Sequence, residues 1–140
     1  MRKPTIYVAG PMRGYDNWNY DAFDRQAKAL RNAGWEVINP AEFDRDLTQE
    51  MVELNSFDFN PSVNYNDQEF LRKALARDLD LICKECTAIY MMIGWENSKG
   101  AKAEFALAKA LGIDIFYEVP LPKQSKNVLY PYTEIVGKLT

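Results

Sequence analysis

Short apolar segments alternate with longer amphipathic segments along this chain of 140 residues. Three mostly apolar runs, Thr5–Ala9, Ala88–Ile93 and Ile113–Tyr117, have the length of buried strands, and Trp35–Ile38 is a shorter fourth. Because the strands of a parallel sheet are covered on both faces, continuous apolar runs are typical of them. Asn127–Tyr130 is a candidate fifth strand at the edge of the sheet.

The segments between these runs carry apolar residues at helical spacing. The first predicted helix starts near Tyr20 and closes at Gly34, the second runs from Asp67 to Ile82, and the third closes at Gly112. Thr133–Leu139 predicts a short closing helix. Strands that alternate with helices predict an α/β protein, here one domain over residues 1–140 with a three-layer Rossmann or flavodoxin-like fold. Its mostly parallel sheet should have about four or five strands.

Residues 43–66 interrupt this alternation with aspartate, asparagine and proline. A segment this long without regular elements is often a lid or a binding loop in a compact domain. Apolar residues such as Met51 and Phe57 equally allow a packed surface insertion with a short helix near Thr48–Leu54. Both interpretations remain open.

Composition and charge exclude several classes of protein. The chain is 47% hydrophobic and 26% charged, as ordinary globular domains are. A net charge of −3 argues against a nucleic-acid polymer as partner. No apolar run approaches the roughly 20 residues that span a membrane. The first residues lack the apolar core of a signal peptide, so we expect a cytoplasmic protein without membrane attachment.

The chain has no histidine and two cysteines. The absence of histidine excludes histidine-based acid–base catalysis and histidine-containing metal sites, and we predict no bound metal. Cys83 and Cys86 form a C-x-x-C pair, which is a redox or half-zinc motif in other contexts. Because no second pair exists and the motif ends a predicted helix, we expect ordinary reduced cysteines.

Candidate chemistry collects where the predicted strands end. The third helix begins at Asn97–Glu104 after a buried strand, and such a start offers free backbone N–H groups and a positive dipole to an anion. Gly10, Pro11, Met12, Arg13 and Gly14 follow the first strand; glycine lets the backbone approach a ligand, and arginine can grip phosphate. Asn39 and Pro40 follow the second strand. The carboxyl ends of parallel strands meet at one crevice, so we expect one site there.

Two acidic residues fall on apolar helix stripes. Glu104 shares its stripe with Leu107, Ala108 and Leu111, and Asp78 shares one with Leu71, Ala74, Leu81 and Ile82. Glu104 is either an early-helix glutamate favoured by the dipole or a carboxylate aimed into a pocket as nucleophile or base. Asp78 is a candidate for a buried role or for a helix–loop hydrogen bond. Asp80 falls on the opposite face as a solvated charge.

Three pieces of the chain together resemble the nucleoside deoxyribosyltransferase superfamily, which includes the deoxynucleoside monophosphate N-hydrolases. They are Ile6–Gly14, then Arg77–Asp80 before a hydrophobic strand, then Ser98-x-Gly100-x-x-x-Glu104 at the start of a helix. In order and spacing they cover most of the chain. Residues 43–66 have no clear counterpart.

The resemblance implies roles for single residues. It makes Glu104 the group that attacks the anomeric carbon or stabilises its cation, and Asp78 the group that orients or assists at the sugar and base. Ser98 matches a serine of the phosphate-holding loop in the monophosphate hydrolases, with Gly100 beside it. The Gly-Thr pair of the transferase branch is missing, and Lys102-Ala103 stands where the hydrolases usually have Gly-Tyr. No cofactor is implied.

We therefore expect hydrolysis of the N-glycosidic bond of a (deoxy)nucleoside 5′-monophosphate. Base exchange between deoxynucleosides and a non-catalytic nucleotide-binding module are the alternatives. The partner is then a small nucleotide or nucleoside, contacted at the base or sugar by Tyr7, Asn39 or Trp95, although aromatic side chains at such positions also pack in cores. The resemblance also implies a homo-oligomer, a dimer or larger.

Overall fold

The structure is a computed structural model that describes residues 3–45 and 67–120, with the side chains of 67–69 excepted. Its strands are β1 (Thr5–Ala9), β2 (Glu36–Ile38), β3 (Ala88–Met91) and β4 (Asp114–Tyr117). Its long helices are α1 (Tyr20–Asn32), α2 (Asp67–Glu85) and α3 (Lys99–Leu111). Short 3-10 turns cover Asp16–Asn19 and Trp95–Asn97. None of the helices in these ranges is long and apolar enough to cross a membrane.

The strands form one parallel sheet in the order β2-β1-β3-β4. Tyr7 in β1 is paired with Ile38 of β2 on one side and with Ile89 of β3 on the other. The chain leaves β1 towards β2 and later crosses back to β3, so the connections diverge between β1 and β3. A crevice opens at the carboxyl ends of the strands at such a switch point. The predicted α/β class with a parallel sheet is confirmed.

Helices cover both faces of the sheet and complete three layers. On one face, Ile6 and Val8 of β1 pack with Phe23 of α1 in a buried cluster. On the other face, Tyr7 and Ala9 pack with residues of α2 and α3, which are Ile82, Ala101 and Ala108. Alternate β1 residues point to opposite faces because the strand period is two. Position 7 therefore faces α2 and α3.

The buried stripe of α3 ends earlier than its sequence suggests. In α3, Ala108 is fully buried, whereas Leu111 at the end of the same stripe is 45% exposed. The helix ends one residue later at Gly112, whose φ of 72° is left-handed. Glycine adopts this conformation without steric cost, which is why the predicted C-cap is correct.

A helical stretch that the sequence analysis did not predict covers residues 40–45. The side chain of Asn39 precedes it, and its Oδ1 accepts a hydrogen bond from the Ala41 N–H at 3.0 Å. Proline at the first helical position is favourable, because its ring presets φ and it has no N–H to satisfy. Asn39-Pro40 was thus a helix-start signal and not only a strand end.

Several predictions fall on parts of the chain that the structure does not describe. They are the candidate fifth strand Asn127–Tyr130, the closing helix Thr133–Leu139, and the proposed lid beyond residue 45. These stay predictions.

Candidate active site

The loops that follow β1 and β3 contact each other at the carboxyl edge of the sheet. A Cβ added at Gly10 would lie 2.8 Å from the Met92 Cβ, so only glycine fits where these two loops approach each other. Gly94 has a φ of 92°, and a Cβ there would lie 2.9 Å from the Tyr15 hydroxyl oxygen. The two loops that the sequence analysis assigned to one site therefore lie together, at the switch point between β1 and β3.

Glu104 lies in the second turn of α3 and is only 5% exposed. Its Oε2 accepts a hydrogen bond from the hydroxyl group of Tyr7, whose ring is fully buried in β1. A glutamate that merely favoured the helix dipole would point to solvent. The Glu104 carboxylate is therefore turned towards the sheet, and its role as nucleophile or base stays a prediction.

Asp78 lies on the same side of the sheet, in α2, and is 6% exposed. Its Oδ1 accepts a hydrogen bond from Arg77 Nε at 2.8 Å, and Arg77 Nη2 is 2.7 Å from the same oxygen. Tyr7 also interacts electrostatically with Asp78, so its hydroxyl group is coupled to both carboxyl groups. Asp80 faces solvent, as predicted, and its carboxylate pairs with Lys84 Nζ at 3.2 Å.

Burial makes both carboxyl groups weaker acids than usual. Loss of water raises the pKa of Asp78 from its ordinary 3.8 to about 6, although the Arg77 guanidinium opposes the change. Burial and the nearby Asp78 charge raise the pKa of Glu104 well above its usual range, while the Tyr7 hydrogen bond works in the other direction. The pKa of the Tyr7 hydroxyl is also raised by burial and by both carboxylates. Carboxyl groups tuned in this way can hold or release a proton near neutral pH.

Two members of this cluster were not among the predicted site residues. Helical spacing predicts Arg77 on the solvated face of α2 with Asp80 and Lys84. This is wrong, because the Arg77 side chain is only 22% exposed and turns to Asp78. Asp44 falls in the segment that the pattern predicts to be irregular. Asp44 is 4% exposed, and its Oδ1 accepts a hydrogen bond from Arg77 Nη2. A signal for Asp44 existed: it lies three residues after the buried Ala41, on the same face of a helix that starts at Pro40.

Ser98 is the N-cap of α3, with a φ of −109° and a ψ of 120°. Its Oγ accepts a hydrogen bond from the Ala101 N–H at 3.1 Å. A serine hydroxyl that accepts this bond keeps its own O–H as a donor, so capping is compatible with the predicted phosphate contact. Gly100 lies in the first turn, where a Cβ would meet nothing closer than Leu75 Cδ2 at 3.7 Å. Space therefore does not demand glycine at that position.

The loop after β1 divides into a buried and an exposed half. Pro11 is buried and its carbonyl oxygen accepts a hydrogen bond from Asn19 Nδ2 at 2.9 Å, while Met12 packs against the α1 face of the core. Arg13 and Gly14 are exposed, and Gly14 has a φ of 87°. Of the predicted loop residues, Arg13 thus presents its charged group at the surface, whereas Pro11 and Met12 hold the loop in place.

The predicted base or sugar contacts lie in different surroundings. The amide of Asn39 is 1% exposed; besides capping residues 40–45, its Nδ2 donates to Asp24 Oδ1 at 2.9 Å. Trp95 packs on Phe105, with ring centroids 4.6 Å apart. Tyr7 joins the carboxylates only through its hydroxyl group, because its ring is fully buried. Among the hydrogen bonds and ring contacts of the described residues, none joins Asn39 or Trp95 to Glu104 or Asp78.

The arrangement suits chemistry at an electron-poor carbon. A carboxylate shielded from water interacts more strongly with a developing positive charge than one in solvent does. A second carboxyl group with a pKa of about 6 can exchange a proton with a leaving group.

Comparison with known families gives one finding. Residues 4–117 match the model of a family described as a domain of unknown function, DUF4406. The match includes the four strands and α1, α2 and α3. A search of curated proteins gives no match.

Proposed function

We propose a function for this chain, a member of the DUF4406 family, from the geometry around Glu104. It hydrolyses the N-glycosidic bond of a (deoxy)nucleoside 5′-monophosphate and releases the free base and a sugar phosphate. The observation that carries the proposal is the buried Glu104 carboxyl group, held by the Tyr7 hydroxyl group beside Asp78.

The reaction needs a carboxylate at the sugar. When the bond between C1′ and the base nitrogen breaks, the base leaves with the electron pair and C1′ gains oxocarbenium character. The ionised Glu104 stabilises this cation or captures it as a glycosyl ester, and water then adds to C1′. The Tyr7 hydroxyl group fixes the orientation of Glu104, since its hydrogen bond to Oε2 leaves the other carboxylate oxygen for the sugar.

Asp78 is suited to the proton that the leaving base requires. A carboxyl group with a pKa of about 6 is partly protonated near neutral pH and can donate to a base nitrogen as the bond breaks. In the same position its ionised form can accept a hydrogen bond from a sugar hydroxyl group. Arg77 holds the Asp78 carboxylate through two nitrogen atoms and limits its rotation.

The phosphate has a matching site at the start of α3. The N-terminal N–H groups of a helix attract anions, and the Ser98 hydroxyl group stands at this end. Glu104 follows six residues later, about 9 Å along the helix axis. A sugar phosphate that bound its phosphate at Ser98 and Gly100 could thus present C1′ towards Glu104. Arg13 lies in the loop after β1, at the same edge of the sheet.

The family assignment supports this proposal. DUF4406 domains are related to nucleoside deoxyribosyltransferase-like folds. The three sequence pieces that resemble that superfamily supply Tyr7 from β1, Asp78 from α2, and Ser98 and Glu104 from α3. They come from separate parts of the chain, and Tyr7, Asp78 and Glu104 lie on the face of the sheet that α2 and α3 cover.

The test uses chromatography to measure the release of free base from a panel of nucleosides and their 5′-monophosphates. We expect base from one or more monophosphates with the wild type and none with Glu104→Ala. Retained turnover in Glu104→Ala contradicts the proposal. Products that appear only when a second free base is added indicate base exchange instead, and binding without turnover on any substrate indicates a binding module.

A further inference from the structure

One guanidinium group holds two buried carboxylates that come from different elements. Arg77 Nε and Nη2 contact Asp78 Oδ1 in α2, and the same Nη2 donates a hydrogen bond to Asp44 Oδ1. The side chains of Asp44 and Asp78 are 6% and 8% exposed, and that of Arg77 is 22% exposed. The charge of Arg77 is therefore shared inside the fold and is little screened by water.

The helical stretch at residues 40–45 contacts the Arg77 guanidinium group in two ways. Besides the Asp44 carboxylate, the Phe43 ring lies 5.5 Å from the guanidinium carbon, a cation–π distance. Asn39 fixes the start of this stretch by capping it. Asp44 thus reaches Arg77 from a well-anchored position beyond the end of β2.

We propose that Asp44 is a positioning residue of the site: through Arg77 it fixes the orientation of Asp78 and the charge balance of the Asp78–Tyr7–Glu104 cluster. This inference deepens the proposed function and rests on it for its effect on catalysis. Asp44 touches neither Tyr7 nor Glu104 in the contacts of the described residues, so its influence passes through Arg77 and through its charge.

The charge balance follows from the groups that face Asp78. They are Arg77 on its own helix, Asp44 from residues 40–45, Tyr7 from β1 and Glu104 from α3. With all three carboxyl groups ionised, a single cation leaves the buried cluster with a net negative charge. The negative charge of Asp44 raises the pKa of both Asp78 and Glu104, whereas Arg77 lowers both. Neutralising Asp44 should therefore lower both pKa values together.

The decisive variant is Asp44→Asn, which keeps an oxygen acceptor for Arg77 and removes the charge. We expect kcat at the optimum to stay within about threefold, since the acceptor holds the geometry. The whole pH profile of kcat/KM should move to lower pH by about half a unit or more, because one buried charge is gone. A merely structural tie between two helices would not move this profile.

Two further variants separate geometry from charge. Asp44→Ala removes the acceptor too, so Arg77 and Asp78 lose their fixed orientation; we expect kcat to fall by about tenfold with a smaller change in KM. Asp80→Asn is the matched control on α2, since it breaks the exposed pair with Lys84. It should leave kcat and the pH profile unchanged. Circular dichroism of each variant is the control for folding.

A second readout keeps the inference independent of turnover. The titration midpoint of the Asp78 carboxyl carbon, measured by NMR, should fall in Asp44→Asn relative to the wild type. If the wild type releases base but both the profile and this midpoint stay unchanged in Asp44→Asn, the inference is overturned and the proposed function stands. If no substrate turns over, the proposed function fails; a lowered midpoint still supports the role of Asp44, and an unchanged one overturns it.

Discussion

At the residue scale, the site depends on carboxyl groups that have lost most of their contact with water. Glu104 and Asp78 are both less than a tenth exposed, and they accept hydrogen bonds from the Tyr7 hydroxyl group and the Arg77 guanidinium group, respectively. This environment penalises ionisation of both carboxyl groups when no substrate is bound. A substrate that develops positive charge at C1′ would remove part of that penalty in the transition state. Because this stabilisation is gained only in the transition state, it accelerates the reaction.

Replacement of Tyr7 by phenylalanine tests the hydrogen bond to Glu104. The ring is fully buried and phenylalanine fills the same volume, so the fold should persist. Without the hydroxyl group, Glu104 loses a donor that orients it and that lowers its pKa. We expect kcat for base release to fall by about tenfold or more, measured with the substrate that the panel identifies. A Tyr7→Phe enzyme with unchanged kcat contradicts this role.

Replacement of Glu104 by glutamine tests the cost of burying the carboxyl group. Its pKa is raised in the folded protein, so the folded state binds the proton more tightly than the unfolded state does. The stability of the wild type relative to Glu104→Gln is therefore highest at pH values below the usual 4.5 and is lost as pH rises through the folded pKa. We expect Glu104→Gln to be more stable than the wild type at neutral pH.

Thermal denaturation of both proteins across pH measures this difference. The advantage of the variant should shrink as pH falls towards the ordinary glutamate pKa, and base release should be lost throughout. A variant that is less stable at neutral pH would show that ionised Glu104 is well accommodated, contrary to its assigned environment.

Residue types and spacing were enough to predict that Asp78 and Glu104 are buried, because each interrupts an apolar helix stripe. They did not reveal Asp44, because Asn39-Pro40 was not recognised as the start of the helix at residues 40–45. Nor could they pair Tyr7 with Glu104, which lie 97 residues apart in the chain. That contact exists only once β1 and α3 have packed.

At the element scale, the start of α3 has two tasks. Ser98 caps the helix by accepting the Ala101 N–H, and in the proposed function it also donates to a phosphate. Loss of a serine N-cap costs about 1 kcal/mol. The cap and the ligand contact can be separated, because an aspartate also caps a helix but repels an anion.

We therefore expect different outcomes for two substitutions of Ser98. Ser98→Ala should lower the melting temperature and weaken binding of a nucleoside 5′-monophosphate. Ser98→Asp should keep the melting temperature near that of the wild type and weaken monophosphate binding even more. Both should affect the unphosphorylated nucleoside much less. Calorimetry of unfolding and of binding gives both quantities, and equal losses for nucleotide and nucleoside would refute the phosphate contact.

The boundaries of the elements show which local signals were decisive. The strands β1 and β4 and the closures at Gly34 and Gly112 agree with the pattern, since glycine after an amphipathic stretch ends a helix for steric reasons. Strand β3 ends at Met91, two residues before its apolar run ends. Met92 follows the strand and packs in the core on the α1 face. Ile93 is 51% exposed, and no packing contact among the described residues explains its apolar side chain.

At the scale of the whole molecule, the order β2-β1-β3-β4 explains why the site lies where it does. The connections from β1 and β3 leave to opposite sides of the sheet, and α/β folds bind their ligands beyond the carboxyl ends of the strands at such a point. Periodicity could predict a parallel sheet but not this order, since the order depends on which strands pair. The order brings the loops of Gly10 and Gly94 together.

We also expect the protein to assemble with copies of itself. The resemblance implies a dimer or a larger homo-oligomer, in which a neighbouring copy completes the site. Tyr15 and Trp18, 46% and 40% exposed, lie in the stretch after β1 and are suited to such a contact. Light scattering should give a mass that is a multiple of 16.1 kDa. A monomeric mass at the concentration of the activity assay would contradict this expectation.

The most direct test of the central claim is the rate of base release from a nucleoside 5′-monophosphate by three proteins. They are the wild type, Glu104→Ala, and Glu85→Ala, which removes an exposed glutamate at the end of α2. The account predicts equal rates for the wild type and Glu85→Ala and a loss of about a thousandfold or more for Glu104→Ala. Base release by Glu104→Ala at a rate close to that of the wild type would contradict it.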